Sequence, residues 1–198
     1  MAKTQSFEQH ADAYEVWFEK NQTIYEDEVQ TAKKLIGSAS NGLEIGIGSG
    51  KFALPLGIKI GIEPSKRMRQ LAQEKGLEAI DGIAENLPFE NEKFDFAVMI
   101  TTICFVDDLF EALSEAYRVI IPGGFLLIGM VEKKSPMGKE YLEKKTKSKF
   151  YGEASFYSTQ EVTALAQKAG FVYDTALGVK STNNGFVFIK YVKPKILS

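Results

Sequence analysis

The first part of the chain carries apolar residues at helical spacing. Between Phe7 and Ile36 they recur roughly every three or four positions, which predicts helix over about 7–35. The small and polar run 37–42 interrupts this pattern. Beyond it, short apolar runs are separated by turns and helical segments, so the rest of the chain is predicted to alternate strands with helices.

Seven short apolar runs predict strands, at about 42–47, 58–63, 77–81, 94–101, 124–131, 171–177 and 186–192. The first five of these runs are apolar, as in a parallel sheet that is covered on both faces. Asn184-Gly185 precedes the last run, and this dipeptide favours an antiparallel hairpin. The sequence therefore predicts an α/β fold with a doubly wound, seven-stranded, mostly parallel sheet and an antiparallel C-terminal hairpin.

Helices are predicted between these strands, over about 65–76, 108–119 and 158–169. Ser65 and Gly76 suit the N-cap and C′ positions of the first of them, and Ser158 with Glu161 forms a capping-box pattern at the start of the last. Only residues 51–57 separate the first strand's turn from the second strand, and they include a proline. The first crossover helix must therefore be unusually short.

Composition restricts the class of protein. A chain of 198 residues with 44% hydrophobic residues can bury one well-filled core. Its 24 Lys and Arg against 26 Asp and Glu lack the basic excess that holds nucleic acid by its phosphates. Cys104, the only cysteine, excludes an internal disulfide, and no paired Cys or His cluster supplies zinc ligands. Residues 1–21 show no apolar run of signal-peptide or membrane-spanning length. We expect a cytoplasmic protein with neither a nucleic-acid nor a membrane partner.

A glycine-rich turn follows the first predicted strand, with glycines at positions 46, 48 and 50. Glycine permits positive φ and has no Cβ, so a ligand can approach this backbone closely. The dinucleotide fingerprint would need a further glycine at position 51, where Lys51 stands, which disfavours a nicotinamide or flavin cofactor. The phosphate-binding loop would need Ser or Thr after that lysine, but Phe52 follows, which disfavours a nucleoside triphosphate.

An acidic residue ends the second predicted strand. Glu63 lies 63 − 44 = 19 positions beyond Glu44, at the carboxyl edge of the sheet, where ribose hydroxyls are usually bound. A carboxylate there accepts hydrogen bonds from both vicinal hydroxyls and repels a 2′-phosphate. It selects an adenosine-type ligand without specifying which one.

Several further motifs follow in a recognisable order. They are the acidic glycine loop Glu44 to Gly50, the acid Glu63, the segment Gly82-Ile-Ala-Glu-Asn-Leu-Pro-Phe89, the pair Phe94-Asp95 and the run Pro122-Gly123-Gly124. With them, the chain from about Phe7 to Leu127 resembles the class I S-adenosylmethionine-dependent methyltransferases. It is most similar to their small-molecule, methyltransferase type 11-like branch.

This resemblance implies a Rossmann-like methyltransferase fold, S-adenosylmethionine as cofactor and in-line methyl transfer to an unidentified small-molecule acceptor. It places the Ala84-Glu85 pair beside adenine and the aromatic residues of the N-terminal helix over the cofactor, although Tyr14 and Trp17 would equally suit a helix core. The cofactor-binding residues that it implies are Tyr14, Trp17, Glu44, Gly46, Gly48, Gly50, Glu63, Pro64, Ala84, Glu85 and Thr101.

The catalytic machinery is less well defined. Many relatives carry a histidine pair where Cys104-Phe105 stands, so no catalytic base carries over, and His10 and Glu132 remain as candidates. A non-catalytic module that binds S-adenosylmethionine or S-adenosylhomocysteine stays an alternative. Asp107-Asp108 could hold magnesium or cap a helix; we favour the cap and expect no metal.

The resemblance also suggests how a single domain spanning 1–198 is organised: an N-terminal helical cap (1–40), a cofactor-binding core (41–132), a candidate substrate lid (133–157) and a C-terminal helix and hairpin (158–198). The segment Lys133 to Lys149 has seven lysines and two glutamates. It would steer an anionic acceptor or form a solvated helix, and the sequence leaves both open, together with the oligomeric state.

Overall fold

The computed structural model describes residues 4–195, so the outermost ends of the predicted 1–40 and 158–198 segments lie outside it. The helices are α1 (Gln5–Lys20), α2 (Gln22–Ile36), α3 (Ala53–Leu56), α4 (Lys66–Glu74), α5 (Leu109–Val119), α6 (Pro136–Glu143) and α7 (Thr159–Lys168). The strands are β1 (Gly42–Ile45), β2 (Ile60–Ile62), β3 (Glu78–Ile80), β4 (Phe94–Ile100), β5 (Ile120–Val131), β6 (Val172–Gly178) and β7 (Phe186–Val192).

The strands form one sheet in the order β3-β2-β1-β4-β5-β7-β6. The five strands β1 to β5 pair in parallel, whereas β7 runs antiparallel to both β5 and β6. This confirms the predicted seven-stranded, mostly parallel sheet with an antiparallel C-terminal hairpin. The strand order reverses between β1 and β4, and in open α/β sheets such a switch point opens a crevice at the carboxyl ends of the strands.

Both faces of the central strand β4 are buried, which explains why it is almost entirely apolar. The edge strand β6 is exposed or only partly buried along its length, so it is not covered in this way. Along β4, Ala97 and Met99 pack with α5 and α7 on one face, while Phe96 and Val98 pack with α2 and α3 on the other. Side chains alternate across a strand, so each face of β4 supplies one hydrophobic layer. Neither face of this strand needs polar residues.

The predicted N-terminal helix is two helices. Asn21 separates α1 from α2, and both its backbone N–H and its side-chain amide donate to the carbonyl oxygen of Trp17, at 3.0 and 2.8 Å. Helix α1 is also kinked at His10, whose φ of −127° and ψ of 23° are not helical. The apolar spacing continues through the kink at His10 and the break at Asn21, because α1 and α2 both present an apolar stripe to the same hydrophobic layer of the core.

The first crossover helix is as short as predicted. Helix α3 spans four residues and ends at Gly57, which adopts the left-handed conformation with φ of 73°. Strand β5 is longer than predicted, because it begins at Ile120 and includes the Pro122-Gly123-Gly124 run. Its pairing with β4 shifts register between Phe94 and Phe96, so the irregular stretch is accommodated inside the strand as a bulge.

A buried lysine joins the end of α5, the start of β5 and β7. Lys193 is 6% exposed, and its ammonium donates to the carbonyl oxygens of Ile120 at 2.7 Å and Tyr117 at 3.0 Å. It also pairs with the Glu92 carboxylate at 3.4 Å. These carbonyls lie at the C-terminus of a helix, where positive charge is favourable.

Replacing this lysine should destabilise the fold. In Lys193→Met the carbonyls of Tyr117 and Ile120 lose their buried donor, and we expect the free energy of unfolding to fall by about 1–3 kcal/mol in urea denaturation. The exposed Lys59→Met variant removes the same charge and should stay near the wild-type value. Equal stability of the two variants would contradict the role given to Lys193.

Candidate functional site

The glycine loop leaves β1 in a conformation that only glycine adopts readily. Gly46 and Gly48 have φ of 78° and 55°. The N–H of Gly46 donates to the carbonyl oxygen of Ile62 at 2.9 Å, which ties the loop to the end of β2. A Cβ at Gly46 would lie 2.5 Å from the Thr102 hydroxyl oxygen. The backbone therefore needs glycine for its conformation at both positions and for close packing at Gly46.

Glu63 is bound to the same loop. Its carboxylate accepts from the N–H of Gly48 at 3.0 Å and from the N–H of Ser65 at 2.8 Å, and the side chain is 8% exposed. Burial raises the pKa of Glu63 to about 7, although both N–H groups act in the opposite direction. Each oxygen of an ionised carboxylate has a second lone pair, so Glu63 can still accept hydrogen bonds from a ligand.

Two cavities at this edge of the sheet are lined by residues of the glycine loop. The larger, of about 140 Å³, is bounded by the glycine loop, α1, α2, the ends of β4 and β5, α6 and the start of β7. Ten of its 19 lining residues are aromatic, and we call it the aromatic cavity. The smaller, of about 70 Å³, lies against Glu63, and we call it the edge cavity. Phe7 and Phe105 line both, and their rings meet edge to face with centroids 4.9 Å apart.

The structure brings together most residues of the predicted site. Those that line the aromatic cavity are Tyr14, Trp17, Gly46, Gly48 and Thr101. Those that line the edge cavity are Gly46, Glu63, Pro64, Ala84 and Glu85. The predicted cofactor-binding residues are thus spread over two cavities that share the Phe7–Phe105 contact, and Gly46 lines both of them.

Glu44 and Gly50 line neither of these two cavities. Glu44 is 2% exposed beneath the loop, where the Ala53 N–H donates to its carboxyl group and burial raises its pKa well above the usual value. One oxygen of Glu44 has no hydrogen-bond partner among the described residues. Gly50 turns with φ of 82° toward Leu77, so the structure gives it a packing role.

Thr101 ends β4 in an unusual conformation. Its φ is 55°, in the left-handed region that β-branched residues rarely adopt. Its N–H donates to the Gly129 carbonyl at 2.8 Å, and its carbonyl accepts from the Cys104 thiol at 3.4 Å. Strained backbone of this kind concentrates at functional sites, which agrees with the position of Thr101 in the aromatic cavity.

Neither candidate base lines the two cavities. His10 lies at the kink of α1, where its ring packs against Phe150 with centroids 6.2 Å apart. The Glu132 carboxylate accepts from the N–H of Thr159 at 3.4 Å, at the start of α7. Glu132 therefore interacts with the N-terminus of a helix, where negative charge is favourable.

Two acidic residues at the site were missed by the sequence analysis. Glu28 on α2 is 5% exposed and lines the aromatic cavity, and burial raises its pKa to about 8. The signal for it was its place on the apolar stripe of α2, with Tyr25, Ala32 and Leu35 on the same face. A charged residue on a buried stripe is unusual and often functional.

Glu15 is the second missed residue, and it fixes α1 over the glycine loop. Its carboxylate accepts from the Ser49 hydroxyl and forms ion pairs with Lys51 at 2.9 Å and Lys75 at 3.2 Å. Lys75 also donates to the Ser49 carbonyl oxygen at 2.8 Å. These contacts keep Tyr14 beside Gly48. They could not be read from sequence because they join residues far apart in the chain.

The Asp107-Asp108 pair behaves as a helix start. The Asp108 carboxylate accepts from the N–H groups of Phe110 and Glu111 at 2.9 and 3.1 Å, which caps α5. Over residues 4–195, no group of three or more His, Cys, Asp or Glu could hold a metal ion. None of the described helices is long and apolar enough to cross a membrane.

Comparisons with known proteins agree with this geometry. The family described as "Methyltransferase domain" matches residues 43–128. An uncharacterised protein of Methanocaldococcus jannaschii is 41% identical over 165 residues, covering 83% of this chain and 80% of that protein. An uncharacterised protein of Mycobacterium tuberculosis is 32% identical over 165 residues, and the alignment covers 81% of this chain but only 58% of that relative.

A solved structure is similar over nearly its whole length. The crystal structure of an S-adenosylmethionine-dependent methyltransferase from Thermotoga maritima, described as a possible histamine N-methyltransferase, is 41% identical with a TM-score of 0.90. The match covers 96% of this chain and 99% of that one. The chain belongs to the S-adenosylmethionine-dependent methyltransferase family, which is a class of enzymes.

The buried carboxyls at the site predict how stability depends on pH. The pKa is raised to about 7 for Glu63, to about 8 for Glu28 and well above the usual range for Glu44, because burial disfavours their ionised forms. The folded state then binds protons that the unfolded chain has released above its ordinary carboxyl pKa of 4.5. Their contribution is complete below that pH and is lost as the pH rises through 7 to 8. Urea denaturation should show the free energy of unfolding falling by roughly 2 kcal/mol or more between about pH 5 and pH 8.

The Glu28→Gln variant carries a neutral amide of similar shape, so it should lose the part of this pH dependence that Glu28 contributes and keep the part due to Glu63 and Glu44. The exposed Glu26→Gln variant, on the same helix, should keep the full pH dependence. A wild-type slope in Glu28→Gln would show that the buried carboxyl does not titrate as described.

Proposed function

We propose that this protein binds S-adenosylmethionine across the two cavities and transfers its methyl group to a small-molecule acceptor in the aromatic cavity by in-line displacement. The observation that carries the proposal is the Glu63 carboxylate, buried against the glycine loop at the switch point of the sheet and adjoining an aromatic cavity. S-Adenosylmethionine would supply a methyl group on a sulfonium, which is a good leaving group.

The residues present suit this cofactor. Glu63 has free lone pairs to accept hydrogen bonds from ribose hydroxyls, and Ala84 with Glu85 forms the opposite side of the edge cavity for adenine. Glu85 is already oriented, because its carboxylate accepts from the N–H of Asp107 at 2.6 Å. The backbone of Gly46 and Gly48, with Thr101, would line the methionine portion in the aromatic cavity.

The helices of the N-terminal segment would close the site. Tyr14 and Trp17 line the aromatic cavity from α1, and Glu15 holds that helix on the loop. The burial that raises the pKa of Tyr14 keeps its hydroxyl neutral, so it can donate a hydrogen bond near Gly48. An apolar enclosure excludes water and favours the loss of sulfonium charge during displacement.

Alignment would supply most of the rate, since the sulfonium is already a good leaving group and the displacement depends chiefly on holding the two reactants in line. The segment 133–157 acts as the acceptor lid in this proposal, because Met137, Tyr141, Phe150 and Tyr151 all line the aromatic cavity. We place the reaction in the cytoplasm on a free small molecule within a single domain. An enclosed cavity of about 140 Å³ suits such an acceptor better than a nucleic-acid strand.

A non-catalytic S-adenosylmethionine-binding module is the second candidate, because neither His10 nor Glu132 lines the two cavities. Incubation with methyl-labelled S-adenosylmethionine and a metabolite extract separates the two. Label in a small-molecule product supports the enzyme, whereas tight cofactor binding with no labelled product supports the module.

Cofactor affinity should depend on Glu63. Calorimetric titration with S-adenosylhomocysteine should show binding that weakens roughly 10- to 100-fold in Glu63→Gln, because hydrogen bonds to a charged acceptor contribute about 1.5–3 kcal/mol. The exposed Glu90→Gln variant is the matched control and should bind as the wild type does. No binding to the wild-type protein would remove the proposed cofactor.

Trp17 offers an independent optical test. It is the only tryptophan, it is 37% exposed and it lines the aromatic cavity. A bound cofactor should cover it, so tryptophan emission should shift to shorter wavelength on titration with S-adenosylhomocysteine and remain unchanged with NAD. Emission that stays constant while calorimetry shows saturation would place the cofactor away from Trp17.

A further inference from the structure

Glu28 is the single charged side chain that lines the aromatic cavity. It is 5% exposed, and over residues 4–195 its carboxyl group has neither a hydrogen-bond donor nor an ion-pair partner. A buried carboxyl without a partner is costly, and an apolar residue at this place on α2 would pack without that cost. Its presence in a cavity is explained if a ligand supplies the missing partner.

Glu28 lines the aromatic cavity but not the edge cavity, in which adenosine is proposed to lie. The glycine loop and Glu63 follow β1 and β2, whereas Glu28 is on α2, which packs against β5 and β7. Val131 at the end of β5 and Phe186 at the start of β7 also line the aromatic cavity. In the sheet order β3-β2-β1-β4-β5-β7-β6, these two groups stand on opposite sides of the switch point. Given the proposed function, the part of the cavity lined by Glu28 would hold the acceptor.

The surroundings of Glu28 are aromatic and carry no positive charge. Tyr141 and Tyr151 line the same cavity, and aromatic faces attract cations. The lysines of the 133–149 segment do not line it: Lys133 pairs with Glu161 and Lys144 with Glu140. This chemistry complements an ammonium group on an apolar body and is opposite in sign to an anionic acceptor.

We propose that the acceptor is an amine whose cationic nitrogen binds the Glu28 carboxylate while its apolar body packs against the aromatic rings of the cavity. Before methyl transfer the ammonium would pass one proton to Glu28, so that the neutral nitrogen has a lone pair to form the new N–C bond while the S–C bond of the sulfonium breaks and leaves a thioether. Glu28 is then a specificity-determining residue of the acceptor site. The proposal names the substrate class of the site described above and rests on the proposed function for the identity of that ligand as the acceptor.

Proton release supplies a readout specific to this pairing. The groups around the Glu28 carboxyl are Asp27 on its own helix and the tyrosines Tyr14, Tyr25, Tyr141 and Tyr151. Burial raises the pKa of each tyrosine, so they stay neutral, and the Ser181 N–H lowers the pKa of Asp27, so it stays ionised. With a pKa of about 8, the empty-site Glu28 is mainly protonated at pH 7. Pairing with an ammonium ionises it and releases up to about one proton per amine bound.

The test compares ligands that share one apolar body and differ only in the polar group at its end, which is an ammonium, a hydroxyl or a carboxylate. We would titrate the protein calorimetrically with phenethylamine, 2-phenylethanol and 3-phenylpropanoate, and with the corresponding butyl and naphthylethyl compounds. Each titration is made in two buffers that differ in their enthalpy of protonation. Each titration is run with and without saturating S-adenosylhomocysteine. We expect at least one amine to bind tenfold or more tightly than its alcohol and to release protons, whereas the alcohol releases none.

Two variants test whether Glu28 causes the amine preference and the proton release. Glu28→Gln should abolish both the amine preference and the proton release, while the exposed Glu26→Gln variant on the same helix should retain both. The affinity of Glu28→Gln for S-adenosylhomocysteine should stay within a few-fold of the wild-type value. A tenfold loss there would assign Glu28 to the cofactor's own ammonium and overturn the proposal.

The remaining outcomes are equally decisive. The proposal fails if no amine exceeds its alcohol, if Glu28→Gln keeps the preference, or if the carboxylates bind most tightly. Failure of the wild-type protein to bind S-adenosylhomocysteine would remove the proposed function instead, and the titrations without that ligand would still show whether Glu28 binds amines.

Discussion

The hydrogen bonds of the buried Glu63 carboxylate are the interaction on which the site depends. They join the N–H of Gly48, after β1, to the N–H of Ser65, which begins α4. Arg69 reinforces this corner by donating to the carbonyl oxygens of Glu63 at 2.7 Å and Pro64 at 2.9 Å. Because the strand order reverses beside β1, the loop held in this way forms one wall of the crevice that a ligand would enter.

The two N-terminal helices cover the carboxyl edge of the sheet and line the aromatic cavity. Helix α1 supplies Tyr14 and Trp17 and is held by Glu15, and helix α2 supplies Glu28. The αβ core alone would leave the carboxyl edge of the sheet open to water. Covering it with these two helices creates a cavity lined mainly by aromatic residues, with one carboxyl group in its lining.

The sequence was informative wherever one residue type meets a local requirement. Gly48 must adopt positive φ, an acid after β2 must meet the glycine loop, and apolar runs must lie inside a covered sheet. The fold could therefore be predicted, and most of the residues predicted for the site do line the two cavities. Contacts between distant segments could not. The pairing of Glu15 with Lys51 and Lys75, and the exposure of Glu28 to a cavity, arise only once α1 and α2 are folded over the sheet. The break at Asn21 was hidden because the apolar spacing continues across it.

The measurement that tests the central claim most directly is a crystal structure of the protein with S-adenosylhomocysteine. We expect adenine and ribose in the edge cavity, with the ribose hydroxyls on Glu63, and the homocysteine portion passing between Phe7 and Phe105 along Gly46 into the aromatic cavity. Glu28 should remain without a contact to the cofactor. A ligand bound elsewhere, or an intact Phe7–Phe105 contact beside a saturated site, would contradict it.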